Sequence, residues 1–226
     1  IAATEASGQL RLLSLAVNGL DFDPVLSGEV SVAPQGVNLQ LAGVQDRIEV
    51  ALTPSYRPVS FLIQRDEAIA TGRTQGDLLV VNSEKFPLSI FKTIVPLPAA
   101  FASQPVSGEL SAGLEINLNT YAISGNVAIA RPAIGSIRAD QFVAQFRYAN
   151  GVGTLTEGEL TQGETRYALR GAITQTRSGP QFQAQVNITQ GQIQNILTAL
   201  QLYDVQDFRR GLQPPTYGRA ADVTTV

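Results

Sequence analysis

The chain contains no histidine, cysteine, methionine or tryptophan. Without cysteine there is no disulfide, no thiolate metal site and no cysteine nucleophile, although the absence does not fix a compartment. Without histidine the usual general base is missing, and so is the commonest transition-metal ligand. Charge is scarce: 15% of the 226 residues are Asp, Glu, Lys or Arg, against about 25% in an average soluble domain. The net charge of −3 supplies no attraction toward nucleic acid or an anionic membrane surface. No apolar run approaches the ~20 residues of a membrane helix. With no methionine, the chain is expected to be a processed protein or a piece of a longer one, with no signal peptide remaining.

What is present is alternation. From Val106 to Ile129, Leu110, Ala112, Leu114, Ile116 and Leu118 share one parity, with Glu109, Ser111, Glu115, Asn117 and Asn119 on the other. After Asn119-Thr120 the phase shifts to Tyr121, Ile123, Val127 and Ile129. Side chains alternate across a strand, so this stretch reads as a hairpin with one dry and one wet side. The rest of the chain repeats it. Strands are expected over residues 1–20, Leu26 to Val32, Val37 to Leu41, Ile48 to Leu52, Val59 to Ile63 and Gly72 to Asn82. Further ones follow at Ser136 to Tyr148, Gly153 to Leu160, Arg166 to Ile173 and Phe182 to Ile188. Gln, Asn, Ser and Thr fill the polar positions, which suits strands better than Lys and Glu do. The expected fold is all-β: a sandwich, a barrel or an elongated sheet. Ser27-Gly28, Ser107-Gly108 and Ser124-Gly125 recur at comparable places and are expected to mark bulges or bends.

Two stretches break the pattern with helical spacing. Pro87 suits the first position of a helix, and Leu88, Phe91, Ile94 and Val95 follow at helical intervals until Pro96, predicting a helix near 87–95. Ile193, Ile196, Leu197 and Leu200 form a stripe that continues through Val205 and Phe208, predicting helical elements over 192–210. Residues 1–217 read as one domain and 218–226 as a flexible tail.

Candidate chemistry is thin. Asp21 and Asp23 flank Phe22, and Glu157 and Glu159 flank Gly158; two carboxylates at i, i+2 on a strand point the same way, as a hydrolase pair or a calcium site requires. Nothing nearby raises a pKa or adds ligands, so solvated strand and turn residues are the simpler reading. No nucleophile elbow and no phosphate loop occur. Arg209-Arg210 suits a helix C-terminus better than an anion site. The apolar stripe itself is either an ordinary core or the wall of an open groove.

Phe86-Pro87-Leu88-Ser89 with its Pro-Leu-Pro linker and Val106-Ser107-Gly108-Glu109-Leu110-Ser111 carry a resemblance. Gly191 to Leu200, Asp207-Phe208-Arg209-Arg210-Gly211-Leu212 and Pro214-Pro215-Thr216-Tyr217-Gly218 extend it. Together these stretches resemble the C-terminal region of the TamB family of AsmA-like envelope proteins, in its cyanobacterial form. The resemblance implies a β-taco, an elongated curved sheet folded as a half-pipe with an apolar inner face, plus the two short helical segments. It implies a periplasmic segment of a protein anchored in the inner membrane, touching membrane only through parts of the chain not present here. It further implies conduction of phospholipid or glycolipid acyl chains toward the outer membrane, in support of outer-membrane biogenesis. No catalytic residue, cofactor, metal or nucleic acid is implied, and an enzyme is not expected. The groove is expected to be lined by Leu110, Leu114, Ile116, Leu118, Ile123, Val127, Ile129, Phe142, Phe146, Leu169, Phe182, Val186 and Ile188. The alternative is an interaction module that docks an Omp85-type barrel or outer-membrane protein clients during assembly or translocation. A third reading is a closed lipocalin-like barrel or sandwich around a small ligand.

Overall fold

The alternation builds one large antiparallel sheet, seen in a computed structural model that describes residues 5–17, 20–93, 104–135, 137–176 and 179–191. The strands of the N-terminal half are β1 (Ala6–Leu13), β2 (Ala16–Val17), β3 (Leu20–Asp21), β4 (Val25–Ala33), β5 (Gly36–Ala42), β6 (Arg47–Leu52), β7 (Pro58–Arg65), β8 (Ala68–Gln75) and β9 (Leu78–Pro87). Those of the C-terminal half are β10 (Val106–Asn117), β11 (Ile123–Ile134), β12 (Ile137–Arg138), β13 (Gln141–Ala149), β14 (Val152–Gln162), β15 (Thr165–Thr176) and β16 (Gly179–Gln190). Fourteen strands form the main sheet in the order β1-β4-β5-β6-β7-β8-β9-β10-β11-β13-β14-β15-β16, with β12 beside β11, and β2 and β3 form a separate hairpin. The sheet does not close into a barrel, because the path ends at β1 on one side and β16 on the other. The lipocalin-like barrel and the sandwich are thereby replaced by a single open sheet.

Several local expectations are corrected. The one strand expected over residues 1–20 ends at Leu13, and the one expected over Ser136 to Tyr148 is interrupted at Ala139-Asp140, between β12 and β13. The stretch Gly72 to Asn82 is a hairpin, not one strand, since Gly76 adopts φ +62° in the turn between β8 and β9. Leu78-Leu79-Val80-Val81 therefore begins a strand of its own. The helical segment expected near 87–95 begins later and is more tightly wound over its described part. β9 runs through Pro87, and Leu88–Thr93 forms a 3-10 helix instead; Pro87 satisfies a strand end as well as a helix start, since neither needs its N–H. The elements expected over 192–210, and the tail 218–226, lie outside the described residues. Of the Ser-Gly sites only Gly108, at φ +138°, sits at a bulge, where the register between β10 and β11 shifts from Ser107 to Glu109. Gly28 and Gly125 lie in regular pairing opposite Leu41 and Leu114.

The two rims of the sheet are finished differently. On one, Arg57 in the β6–β7 turn reaches Asn119 Oδ1 at 3.0 Å and Asp77 Oδ1 at 3.4 Å. The β6–β7 and β10–β11 turns are four strand spacings apart, about 19 Å in a flat sheet, farther than an arginine extends. That rim is drawn together.

On the other rim the chain leaves β1, turns at Ser14 (φ +53°) and folds back through β2 and β3. Ser14 N donates to Pro24 O at 3.0 Å and Phe22 N to Leu15 O at 2.9 Å. The resulting lobe buries Leu20 and Phe22 with Leu26, Leu41, Ala68, Phe86 and Ile90, and Leu10, Leu12, Leu39, Ile48, Ile63 and Ala70 pack around them. Reciprocal carboxylates hold it down. Asp46 accepts from Asp23 N at 2.6 Å and Asp66 N at 3.2 Å, while Asp23 accepts from Gln45 N at 2.8 Å and Asp46 N at 3.0 Å. Gly43 makes room for this, since a Cβ there would lie 2.3 Å from Asp23 Oδ2.

The backbone hydrogen bond from Gln45, more than the opposing loss of hydration, holds the Asp23 carboxyl below its ordinary value of 3.8. A carboxyl lowered on folding adds stability above its unfolded pKa, and that stability is lost as pH falls through the folded value. Asp23→Asn is accordingly expected to be less stable than the native chain at neutral pH. The difference should shrink below pH 3.8, as read from urea unfolding at a series of acid pH values. A gap that stays constant into acid would contradict the assignment.

Candidate functional site

Cross-strand partners in a sheet share a side, so the register decides which of the expected groove residues stand together. Leu110 pairs Ile129, which pairs Phe142, then Leu160, Tyr167 and Ile188. Ala112, Val127, Ala144, Gly158, Leu169 and Val186 make the next rung. Leu114, Gly125, Phe146, Leu155, Gly171 and Ala184 make a third. A fourth joins Ile116, Ile123, Tyr148, Gly153, Ile173 and the backbone of Phe182, whose side chain lies outside the described ones. Leu118 lies beyond the end of β10, so no pairing assigns it a side; its N–H donates to Asp77 O at 2.9 Å.

The rungs continue into the N-terminal half. Leu114 is followed by Val81, Gly72, Phe61, Val50, Leu39 and Val30. The Phe61 ring lies over Gly72, where a Cβ would stand 2.0 Å from Cε1. On the reverse side the matching rung reads Glu29, Gln40, Glu49, Leu62, Thr71, Asn82, Gly113, Asn126, Gln145 and Glu157. Of these two rungs the first is apolar or glycine throughout, and the second is mostly amides, hydroxyls and charges, with Leu62 among them.

Sequence reasoning missed Leu155, Leu160, Tyr167 and Ile173. Leu155 and Leu160 differ in parity, so simple alternation puts them on opposite sides. The register shifts between Leu155 and Gly158 return them to one side. Thr156 is the extra residue, its hydroxyl donating to Gln145 O at 3.2 Å. No residue at that point announces the bulge.

The side chains along the rungs form relief. Ala70, Ser83, Ala112, Val127, Ala144 and Gly158 form a rung of mostly small residues across β8 to β14. It is flanked by Phe86, Leu110, Ile129, Phe142 and Leu160 on one side and by Val81, Leu114, Phe146 and Leu155, interrupted by Gly72 and Gly125, on the other. Toward β16 this side opens into a hollow of about 340 Å³ whose lining includes Phe146, Gly153, Leu155, Gly171, Ile173 and Ala184, almost all of it apolar. That lies within the ~300–1,000 Å³ range of small-molecule sites. Tyr167, buried in the first rung, gives its hydroxyl to Gln162 Oε1 at 3.3 Å, and burial raises its pKa. The N-terminal lobe covers part of this side over β1 and β4 to β8; among the described residues nothing comparable lies over β13 to β15.

The carboxylate pairs do not form a reactive constellation. Glu157 and Glu159 lie on the polar side opposite Gln145 and Val143, and Glu159 stands 3.7 Å from Arg166. Asp23 is engaged in the lobe clasp, and Asp21 offers its carbonyl oxygen to Arg65 Nε at 2.6 Å. A second, polar depression near Glu109, Arg131, Arg138 and Asp140 has its charges largely engaged: Arg131 pairs with Glu109, and Asp140 accepts from Gly163 N at 2.6 Å. Among the described residues no group of three or more acidic side chains could hold a metal, and no helix is long and apolar enough to cross a membrane. Comparison with protein-family models finds no match, and no curated protein or solved structure matches this chain.

Proposed function

We propose that the carbon-lined side of the sheet is the inner wall of a half-pipe that shields the acyl chains of phospholipid or glycolipid. In that reading the chain is a lipid-conducting segment of an envelope-spanning protein and carries out no chemistry itself. The observation that carries the proposal is the apolar hollow at Phe146, Leu155, Gly171, Ile173 and Ala184, which the described residues leave open. The drawn-together rim at Arg57 and Asn119 supports curvature. The almost wholly apolar surface of the hollow among the described residues supports a ligand held by area alone. A methylene removed from water contributes about 0.8 kcal/mol, so half a dozen would give about 5 kcal/mol before the cost of association. Binding without fixed hydrogen bonds tolerates different headgroups and permits sliding.

The test is photocrosslinking of a diazirine-labelled phospholipid to the full chain. The native protein is expected to label, and the pair Leu114→Glu and Val127→Glu to lose most of it, because Val127→Glu places a charge on the strip of small residues and Leu114→Glu places one in the rung beside it, in line with Phe146 and Leu155. Circular dichroism establishes that the pair remains folded. The chain lacks tryptophan, so Ala184→Trp provides an independent reading: its emission should shift to the blue when lipid is added. Labelling unaffected by the glutamates, together with unshifted emission, would refute the assignment.

A further inference from the structure

The two edges of the open sheet are unlike. At β1, Leu10 and Leu12 pack against the buried cluster of the lobe, Gln9 bonds Glu29 at 2.7 Å, and Arg11 places a charge on the strand. Charges and short length are the usual protections of an edge strand against further pairing. β16 has neither. It is twelve residues long, GPQFQAQVNITQ, and carries no charged residue. Val186 and Ile188 stand 52% and 43% exposed on the carbon-lined side.

We propose that β16 is an interface strand and that its partner is β16 of a second copy of this chain. The partner follows from the strand's own pattern. In a two-fold antiparallel pair, residues opposite one another keep to the same side only when their numbers sum to an even value. Two such registers use nearly the whole strand, one setting Gln185 against itself and the other Ala184. With Gln185 at the centre, Ala184 meets Val186, position 182 meets Ile188, and Gln183 meets Asn187. With Ala184 at the centre, Val186 meets position 182 and Gln183 meets Gln185. In both registers amide meets amide and no like charges oppose, and in the first Ala184 meets Val186, which is what stabilises a cross-strand pair. A partner strand with alternating charges would gain no ion pair here. The two-fold axis stands perpendicular to the sheet, so both carbon-lined sides face the same way and run on from one copy to the next. The pairing does not depend on what that side binds.

The absence of native cysteine makes the test direct. Ala184→Cys, Gln185→Cys and, as an interior polar-side control, Gln40→Cys are made singly in the full chain and oxidised. A disulfide needs Cβ atoms about 4 Å apart, so one of the two β16 variants should cross-link at least about tenfold faster than the control. Sedimentation of the cysteine-free chain should show a concentration-dependent dimer, and Val186→Lys should abolish it by placing a charge in the pair while remaining folded. Three results would each overturn the proposal: cross-linking at positions 184 and 185 no faster than at 40, a monomer at every concentration, or a dimer indifferent to Val186→Lys. A monomer is also what would be seen were residues 192–226 or a different protein to occupy the edge.

Discussion

Leu26→Ala is expected to destabilise the N-terminal half of the sheet by about 2–5 kcal/mol, toward the upper part of the range for a buried leucine. Leu26 has no exposed surface and sits where β4 meets the lobe, among Leu20, Phe22 and Leu41. A cavity there cannot collapse easily. Below it the strands are fixed by their ladder, and above it the lobe is tied to the β5–β6 and β7–β8 turns by Asp46 and Asp23. The location of the effect is as informative as its size. Each strand of the main sheet pairs only with its neighbours in a meander, so stability approximates a sum of nearest-neighbour terms, as in a repeat array. Loss should therefore concentrate near the lobe and fade with distance along the sheet. Hydrogen exchange followed by mass spectrometry should show faster exchange over β1 to β9 and nearly native protection over β13 to β15. A uniform loss across all strands would mean that the sheet unfolds as one cooperative unit and that the nearest-neighbour picture is wrong.

The same meander explains how much of the fold was legible in the sequence. Period-two alternation is local, and in a meander the pairing is local too. The phase reversal after Asn119-Thr120 therefore specified the β10–β11 hairpin, and the structure pairs Leu110 with Ile129 and Ile116 with Ile123. Alternation fails where the backbone adds a residue or reverses without a strong signal. Thr156 does the first and hides Leu155 from the groove pattern. Gly76 does the second, within a run whose apolar density read as one long strand. The lobe was illegible for another reason. Leu13, Leu15 and Val17 share a parity, yet Ser14 turns the chain between them, and the clasp that holds the result joins Asp23 to Asp46 across 23 residues. Spacing between side chains carries no trace of such a contact. Pro87 and the apolar spacing after it satisfied helix rules, but so short a stretch gains little from helix formation itself. Packing against the sheet decided its form, with Ile90 in the core cluster.

Asp46→Ala is expected to cost about 2–4 kcal/mol, because it removes the acceptor of two backbone donors at once. Asp46 is only 6% exposed, one of two buried polar residues among those described, and its two oxygens serve Asp23 N and Asp66 N. Asp66 adopts φ +53°, a conformation unfavourable for a residue with a Cβ, and the bond to Asp46 helps to hold it. With the carboxylate gone, water reaches Asp66 more readily than Asp23, so the larger share of the loss falls on the lobe. Asp46→Asn should be milder, since its amide oxygen still serves one donor while its NH₂ group opposes the other. The pair Asp23→Ala with Asp46→Ala should cost less than the sum of the single changes, as each carboxylate caps the other's backbone and residues in one network are not additive. The expected pattern in hydrogen exchange is release of Leu15 to Phe22 with β13 to β15 unchanged, and it should come with new binding of a hydrophobic dye as Leu41 and Ala68 lose their cover. A double change whose cost equals the sum would show that the two carboxylates act separately and that the lobe is held by its leucines and Phe22 alone.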